Sequence, residues 1–202
     1  DLNVTVNAVR LDLAGSLLAV GHSSGALVLD LDTDAITREI SLPDPVDHLD
    51  WDDDGDLWVV HNGGLRQAIE HEVGGPSGVR TTVMNAGICS FLILEDGRLL
   101  NGGFDGRLRV HNEEGVQTQD LTGLGGAPTQ LIEEGDYLWG GLSNGRVMRW
   151  NTSTWSSDVV VSGSAPVTSL SLDGDGGVWA GHQNGLTVHL DSTLTSTQEH
   201  QS

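Results

Sequence analysis

Short apolar runs alternate with turns rich in Gly, Asp, Asn and Ser along the whole 202-residue chain. Within a run, apolar and polar residues tend to alternate with a period of two, the signature of a half-buried β-strand. Val178-Trp179-Ala180-Gly181-His182, followed by Gln183-Asn184-Gly185-Leu186, is the clearest apolar run leading into such a turn. Related stretches are Leu138-Trp139-Gly140-Gly141-Leu142 before Ser143-Asn144-Gly145-Arg146, and Leu57-Trp58-Val59-Val60-His61 before Asn62-Gly63-Gly64-Leu65. Leu17-Leu18-Ala19-Val20-Gly21-His22 before Ser23-Ser24-Gly25, and Leu99-Leu100-Asn101-Gly102-Gly103 before Phe104-Asp105-Gly106-Arg107, complete five copies. Each predicts an apolar strand, a glycine-containing turn and a second strand.

The five hairpins belong to a longer repeat. Aligning the ends of the second hairpin strands pairs Leu31-Asp32, Ile69-Glu70, His111-Asn112, Trp150-Asn151 and Leu190-Asp191, at successive spacings of 38, 42, 39 and 40 residues. Further strand-like runs before and after each hairpin give four strands per repeat. Four antiparallel strands every ~40 residues, each repeat unable to bury both faces alone, predict an all-β fold, a β-propeller of five blades. The expected organisation is one domain over residues 1–202, with blades at about 6–42, 46–84, 88–121, 128–162 and 167–202 and residues 1–5 closing the ring.

The Leu-Trp-x-Gly-x-x-Asn-Gly pattern, preceded by Asp-Gly turns, resembles the propeller repeats of two-component-system sensors and is similar to WD40 repeats. In that comparison Leu31-Asp32, Trp150-Asn151 and Leu190-Asp191 take the place of the Trp-Asp pair. The Gly-His opening of WD40 repeats is absent, and the propellers resembled commonly have about seven blades. The resemblance implies the fold and leaves function open. Trp58, Trp139 and Trp179, with Leu18 and Leu100, are expected at one position of the second strand, filling the space between facing blades. The glycines that follow, Gly21, Gly102, Gly141 and Gly181, are expected where another element approaches closely.

Charge narrows the partners. The formal net charge is −20, and all nine basic residues are arginine. Such acidity repels phosphate backbones and anionic lipid, so nucleic acid is excluded as an expected partner. The absence of lysine resembles proteins of high-salt organisms, where molar salt shortens the Debye length to ~3 Å; the fold is then expected to loosen in dilute buffer. This favours an extracellular or cell-surface location in such an organism, with the cytoplasm also open. No apolar run of ~18 residues is present, so no membrane insertion by a helix is expected. The single cysteine, Cys89, excludes an intrachain disulfide and reads as a small core side chain.

Candidate chemistry is sparse. His22, His61 and His182 align just before the turn joining the second and third strands. With Ser23, Asn62, Gln183 and Asn184 they form a candidate ligand-binding set of uncharged hydrogen-bonding groups. The alternative is histidines that stabilise their own turns. Asp50, Asp52 and Asp54, before Gly55, fit the first half of a calcium loop, but the twelfth position is His61 where a bidentate Glu is needed. An acidic β-turn is the competing reading, so no cofactor is expected beyond a conceivable Ca²⁺. Arg107, Arg109, Arg146 and Arg149 form the basic cluster, suited either to a carboxylate of a partner or to neighbouring acids. No Gly-x-Ser-x-Gly elbow, His-Glu-x-x-His helix or phosphate-binding glycine loop occurs.

The sequence therefore leads to a non-catalytic binding or interaction module. Its ligand, a protein segment or a carbohydrate, is expected on the face carrying the second-to-third-strand turns. The rivals are a hydrolase or lyase using a carboxylate pair near the central channel, and a purely structural module of a larger surface or sensor protein.

Overall fold

A computed structural model describes residues 5–199, apart from 13, 54, 64–65, 73–78, 85–86, 114 and 162. The described residues hold twenty β-strands and no helix. They are β1 (Val6–Leu11), β2 (Leu17–His22), β3 (Gly25–Asp30), β4 (Ala35–Ser41), β5 (Val46–Trp51), β6 (Leu57–Gly63), β7 (Arg66–Glu72) and β8 (Val79–Met84). Next come β9 (Ile88–Ile93), β10 (Leu99–Gly103), β11 (Leu108–His111), β12 (Gln117–Leu121), β13 (Pro128–Glu134) and β14 (Tyr137–Leu142). The last are β15 (Arg146–Asn151), β16 (Ser157–Val161), β17 (Val167–Leu172), β18 (Val178–His182), β19 (Thr187–Leu190) and β20 (Ser196–Glu199). They form five four-stranded sheets, each with its strands paired in chain order. The expectation that residues 1–4 lie beside the C-terminal strand falls outside the described residues.

The strands group into two compact units, one taking residues up to Leu100 with 111–117, the other 101–110 with residues from Thr118 on. In the first, period-two alternation sends neighbouring residues of β6 to opposite neighbours. Leu57 and Val59 join Ala19, Val28, Val46 and Leu49 in one buried cluster. Trp58 and Val60 join Ile88, Phe91, Ile93 and Leu99 in another. A sheet with both faces apolar is thus the middle layer of a stack. In the second unit, Trp139 and Val147 pack with Val167, Val178, Ala180, Val188 and Leu190 of the fifth sheet.

Strand pairing corrects one sequence expectation. Val6 faces His22 and Arg10 faces Ala19 in the first sheet, as Val167 faces His182 and Ser171 faces Trp179 in the fifth. Ala19, not Leu18, therefore holds the tryptophan position. Leu17, Leu18 and Ala19 are all apolar, so alternation alone could not fix their parity. The glycine two residues on from this position answers to a close approach: a Cβ at Gly21 would meet Val46 Cγ1 at 2.5 Å, and one at Gly141 would collide with Val167 Cγ1. The tryptophans also differ in depth. Trp58 and Trp139 are buried, whereas Trp179 is half-buried, its ring 4.6 Å from that of His189.

Candidate functional site

The turns between second and third strands are built by local chemistry. In Gly103-Phe104-Asp105-Gly106, Leu142-Ser143-Asn144-Gly145 and His182-Gln183-Asn184-Gly185, the last glycine donates its N–H to the carbonyl of the first residue at 3.0 Å. These glycines take φ of 76°, 84° and 83°, a conformation that costs a side chain dearly. The Asp or Asn before each accepts the N–H two residues on, at 3.2–3.3 Å. Asp-Gly and Asn-Gly are therefore what fix these turns.

In the second unit the turns interleave with the loops that enter the fourth and fifth sheets. Ser143 N–H donates to Ala127 O at 2.8 Å, and Ala127 N–H donates to Ser143 Oγ at 2.9 Å. Gly163 N–H donates to Gly145 O at 3.0 Å, and Gln183 N–H to Pro166 O at 2.9 Å. One end of the unit is thus a hydrogen-bonded row of turns and loops. It opens into a cavity of about 490 Å³ lined by Phe104, Asp105, Gly106, the loop 123–127 and Ser143. That volume falls within the ordinary range of ligand sites. Phe104 is 72% exposed at its rim.

Six of the seven expected ligand side chains have a definite place. His22 and His182 end their second strands, His61 lies two residues before the end of β6, and the three are only 7%, 5% and 5% exposed. His22 Nδ1 accepts the Ser24 N–H at 3.2 Å. His61 Nδ1 lies 3.8 Å from Asp44 Oδ2 in the loop before β5. His182 Nδ1 is 2.8 Å from Ala165 O, so that nitrogen carries the proton and donates. Ser23, Gln183 and Asn184 are exposed in the turns above; the Asn62 side chain lies outside the described residues. Because His182 binds the loop entering its own sheet, His182→Ala is expected to cost about 1–3 kcal/mol in a urea titration. Loss of ligand binding in that variant would therefore need a stability control.

The calcium candidates are engaged by the fold. Asp50 Oδ2 accepts the Ile93 N–H at 3.0 Å, and Oδ1 lies 3.3 Å from Arg10 Nε. Asp52 accepts the Asp56 N–H and the Trp58 indole N–H, both at 2.8 Å. Asp54 lies outside the described residues, among which no group of three or more His, Cys, Asp or Glu is placed to hold a metal. Sequence reasoning missed His48, which lies two residues from Asp50 on β5. Burial, and then the Arg10 charge, lower its pKa to about 4. Burial raises that of Asp50 against the opposing pull of Arg10.

The basic cluster divides. Arg107 pairs with Asp120, Arg109 with Asp105, and Arg149 with Asp158 while donating to Ser192 O at 2.8 Å. The Arg109 hydrogen bond holds Asp105 below the usual carboxylate range. Arg146, half-buried, makes no ion pair among the described residues. Phe104 was also missed. Its signal was an aromatic where the other four repeats place Ser23, Asn62, Ser143 and Gln183.

Five antiparallel four-stranded sheets, each carrying a hairpin repeat and stacked face to face within each unit, define the class: the chain is built of β-propeller repeats. Solved structures agree. A chain of the mitotic checkpoint complex superposes with a TM-score of 0.83 at 18% identity, over 99% of this chain and 67% of that one. The β-propeller domain of Swd1 from Myceliophteria thermophila gives 0.76 at 17%, over 98% and 74%. Virginiamycin B lyase from Staphylococcus aureus gives 0.81 at 14%, over 98% and 71%. The chain spans between 63% and 74% of the lengths of such structures. No protein-family model and no curated protein matches the sequence.

Proposed function

We propose that this chain is a non-catalytic interaction module that holds a segment of a partner protein at the end carrying the second-to-third-strand turns. The cavity between the Phe104 turn, the 123–127 loop and Ser143 is the observation that carries this reading. A rigid β-scaffold presents the turns, and ligand contacts on such scaffolds fall to loops. Phe104 supplies an aromatic anchor of the kind that dominates protein interfaces. Carbohydrate is the competing ligand.

Selection from a displayed random peptide library against the whole chain tests the reading. Phe104→Asp is expected to reduce capture of the selected peptides at least tenfold while leaving the unfolding free energy within about 0.5 kcal/mol of the parent. Selected peptides that bind this variant unchanged would refute the site. Binding of neutral oligosaccharides in their place would move the proposal to carbohydrate.

A second reading, acid–base chemistry at the first strands, draws on His48 and Asp50, whose shifted pKa values mark a candidate site. It is the weaker one, because both Asp50 oxygens are held by Arg10 and the Ile93 N–H.

A further inference from the structure

Arg146 stands out on electrostatic grounds. In a chain of net charge −20, with Arg107, Arg109 and Arg149 each paired to an aspartate, its guanidinium faces no carboxylate among the described residues. It faces the glycine loop that lines the cavity. A Cβ built on Gly125 would lie 3.1 Å from Arg146 Nη1 and 3.2 Å from Asn144 Nδ2. A Cβ on Gly126 would come within 2.9 Å of Asn144 Cγ and 3.1 Å of Ser143 Oγ. Glycine at both places lets two side-chain donors close over bare backbone.

The loop itself has donors to offer. No backbone N–H of residues 123–126 takes a hydrogen-bond acceptor among the described residues. Gly123 and Gly125 take φ of 77° and 81° on either side of Leu124, which does not share that conformation. Unpaired N–H groups in a turn conformation can line an anion-binding concavity. The Leu124 side chain is 3% exposed, so it pins the loop before a ligand arrives. Gly125 is exposed, so the place is open to solvent.

We infer that Arg146, Asn144 and the 123–126 loop receive a carboxylate of the partner segment, and that Phe104 takes an apolar side chain next to it. This rests on the interaction-module reading above and adds the chemistry that the site selects. A guanidinium binds a carboxylate through two parallel N–H···O bonds. The charge of the whole chain sets the limit on the ligand: a single carboxylate has Arg146 to pair with, whereas a polyanion meets the full repulsive field. The ligand is therefore a peptide with one acidic group beside an apolar one. The acidic group is either its C-terminal carboxylate or an Asp or Glu side chain.

The test is titration of the ¹⁵N-labelled full chain, following backbone amide shifts. The probes are acetyl-Ala-Leu-Phe with a free carboxylate, acetyl-Asp-Leu-Phe-amide, and acetyl-Ala-Leu-Phe-amide, which has no carboxylate. Sodium phosphate and sodium glucuronate complete the set. Either carboxylate peptide is expected to move the Gly123, Gly125 and Gly126 amides, and which of the two does so separates the terminal from the side-chain source. Arg146→Gln is expected to weaken that binding by roughly tenfold or more. Arg146→Lys, which keeps the charge without the fork, is expected to fall between. Native-like dispersion of the variant spectra secures the comparison.

The inference is overturned if the uncharged amide binds equally well, if phosphate or glucuronate moves the loop and the peptides do not, or if no probe moves it at tens of millimolar. Unchanged binding by a folded Arg146→Gln chain overturns it too. Should library-selected peptides need Phe104 yet show no carboxylate dependence, the interaction module stands and this inference alone falls.

Discussion

Trp139→Ala is expected to lower the unfolding free energy by about 3–5 kcal/mol, the largest single effect of any substitution named here. Its indole is 1% exposed and packed among Val147, Val167, Val178, Ala180, Val188 and Leu190, which come from both sheets of its cluster. Truncation removes the transfer free energy of the ring and leaves a void between two β-layers. Those layers are held by their own ladders and cannot collapse to fill it. The Arg149 guanidinium, 5.4 Å from the ring centroid, loses one of two aromatic contacts and keeps Tyr137 at 4.6 Å. Trp179 is the internal control. It holds the equivalent strand position but is half-buried, so Trp179→Ala should cost distinctly less. Equal shifts of the two denaturation curves would contradict the assignment of Trp139 to the interior.

The second large effect is a loss of stability in mild acid, traced to His48. The folded protein holds this histidine at about 4 against 6.5 in the unfolded chain, so the unfolded state binds the proton more readily. Its neutral form contributes fully above pH 6.5; the contribution is lost as pH falls from 6.5 to 4 and changes no further below that. The difference of pKa corresponds to about 3 kcal/mol at most. Arg10 adds to the depression. Asp50, two residues on and with its pKa raised by burial, acts on stability with opposite sign by taking up a proton more readily when folded. Asp12, Asp96, Asp105 and Asp173 are held low, Asp173 to about 2 by the His189 hydrogen bond and two backbone N–H groups. Their contribution is lost only below about pH 4, in a separate window. Urea titrations of the parent and His48→Gln chains at pH 7, 5.5 and 4 isolate the histidine. The parent should weaken toward pH 4 and the variant should weaken less; parallel profiles would refute the assignment.

Much of the architecture was legible because a blade must turn its chain at fixed intervals. Asn-Gly and Asp-Gly mark those intervals in residues that few other backbones require. The apolar run Leu57-Trp58-Val59-Val60 was readable as a strand, and the structure sends its side chains to two different clusters, one on each face of the sheet. The parity of Leu18 and Ala19 could not be read from the apolar run itself, which carries no phase, but only by counting back from the aligned Gly21 and His22. Nor does a repeat count say how many blades complete a ring, because closure depends on the angle between sheets.

The candidate site was less readable. The histidines of the row are buried beneath the turns, His182 bound to the loop entering its sheet and His22 to the N–H of Ser24 in its own turn. Periodicity places a residue at a strand end without saying which way its side chain tucks. Phe104 and Arg146 drew less notice for a related reason. Their meaning comes from the 123–127 loop, about twenty residues from each, folding against both turns.

The central claim is that a partner segment seats in the cavity at the turn end. Hydrogen–deuterium exchange of the whole chain, with and without a saturating library-selected peptide, tests it most directly. Slowed exchange confined to residues 104–106, 123–127 and 143–145 is the expected result. Protection confined instead to outer strands such as β12 or β16, with those turns unchanged, would contradict the claim.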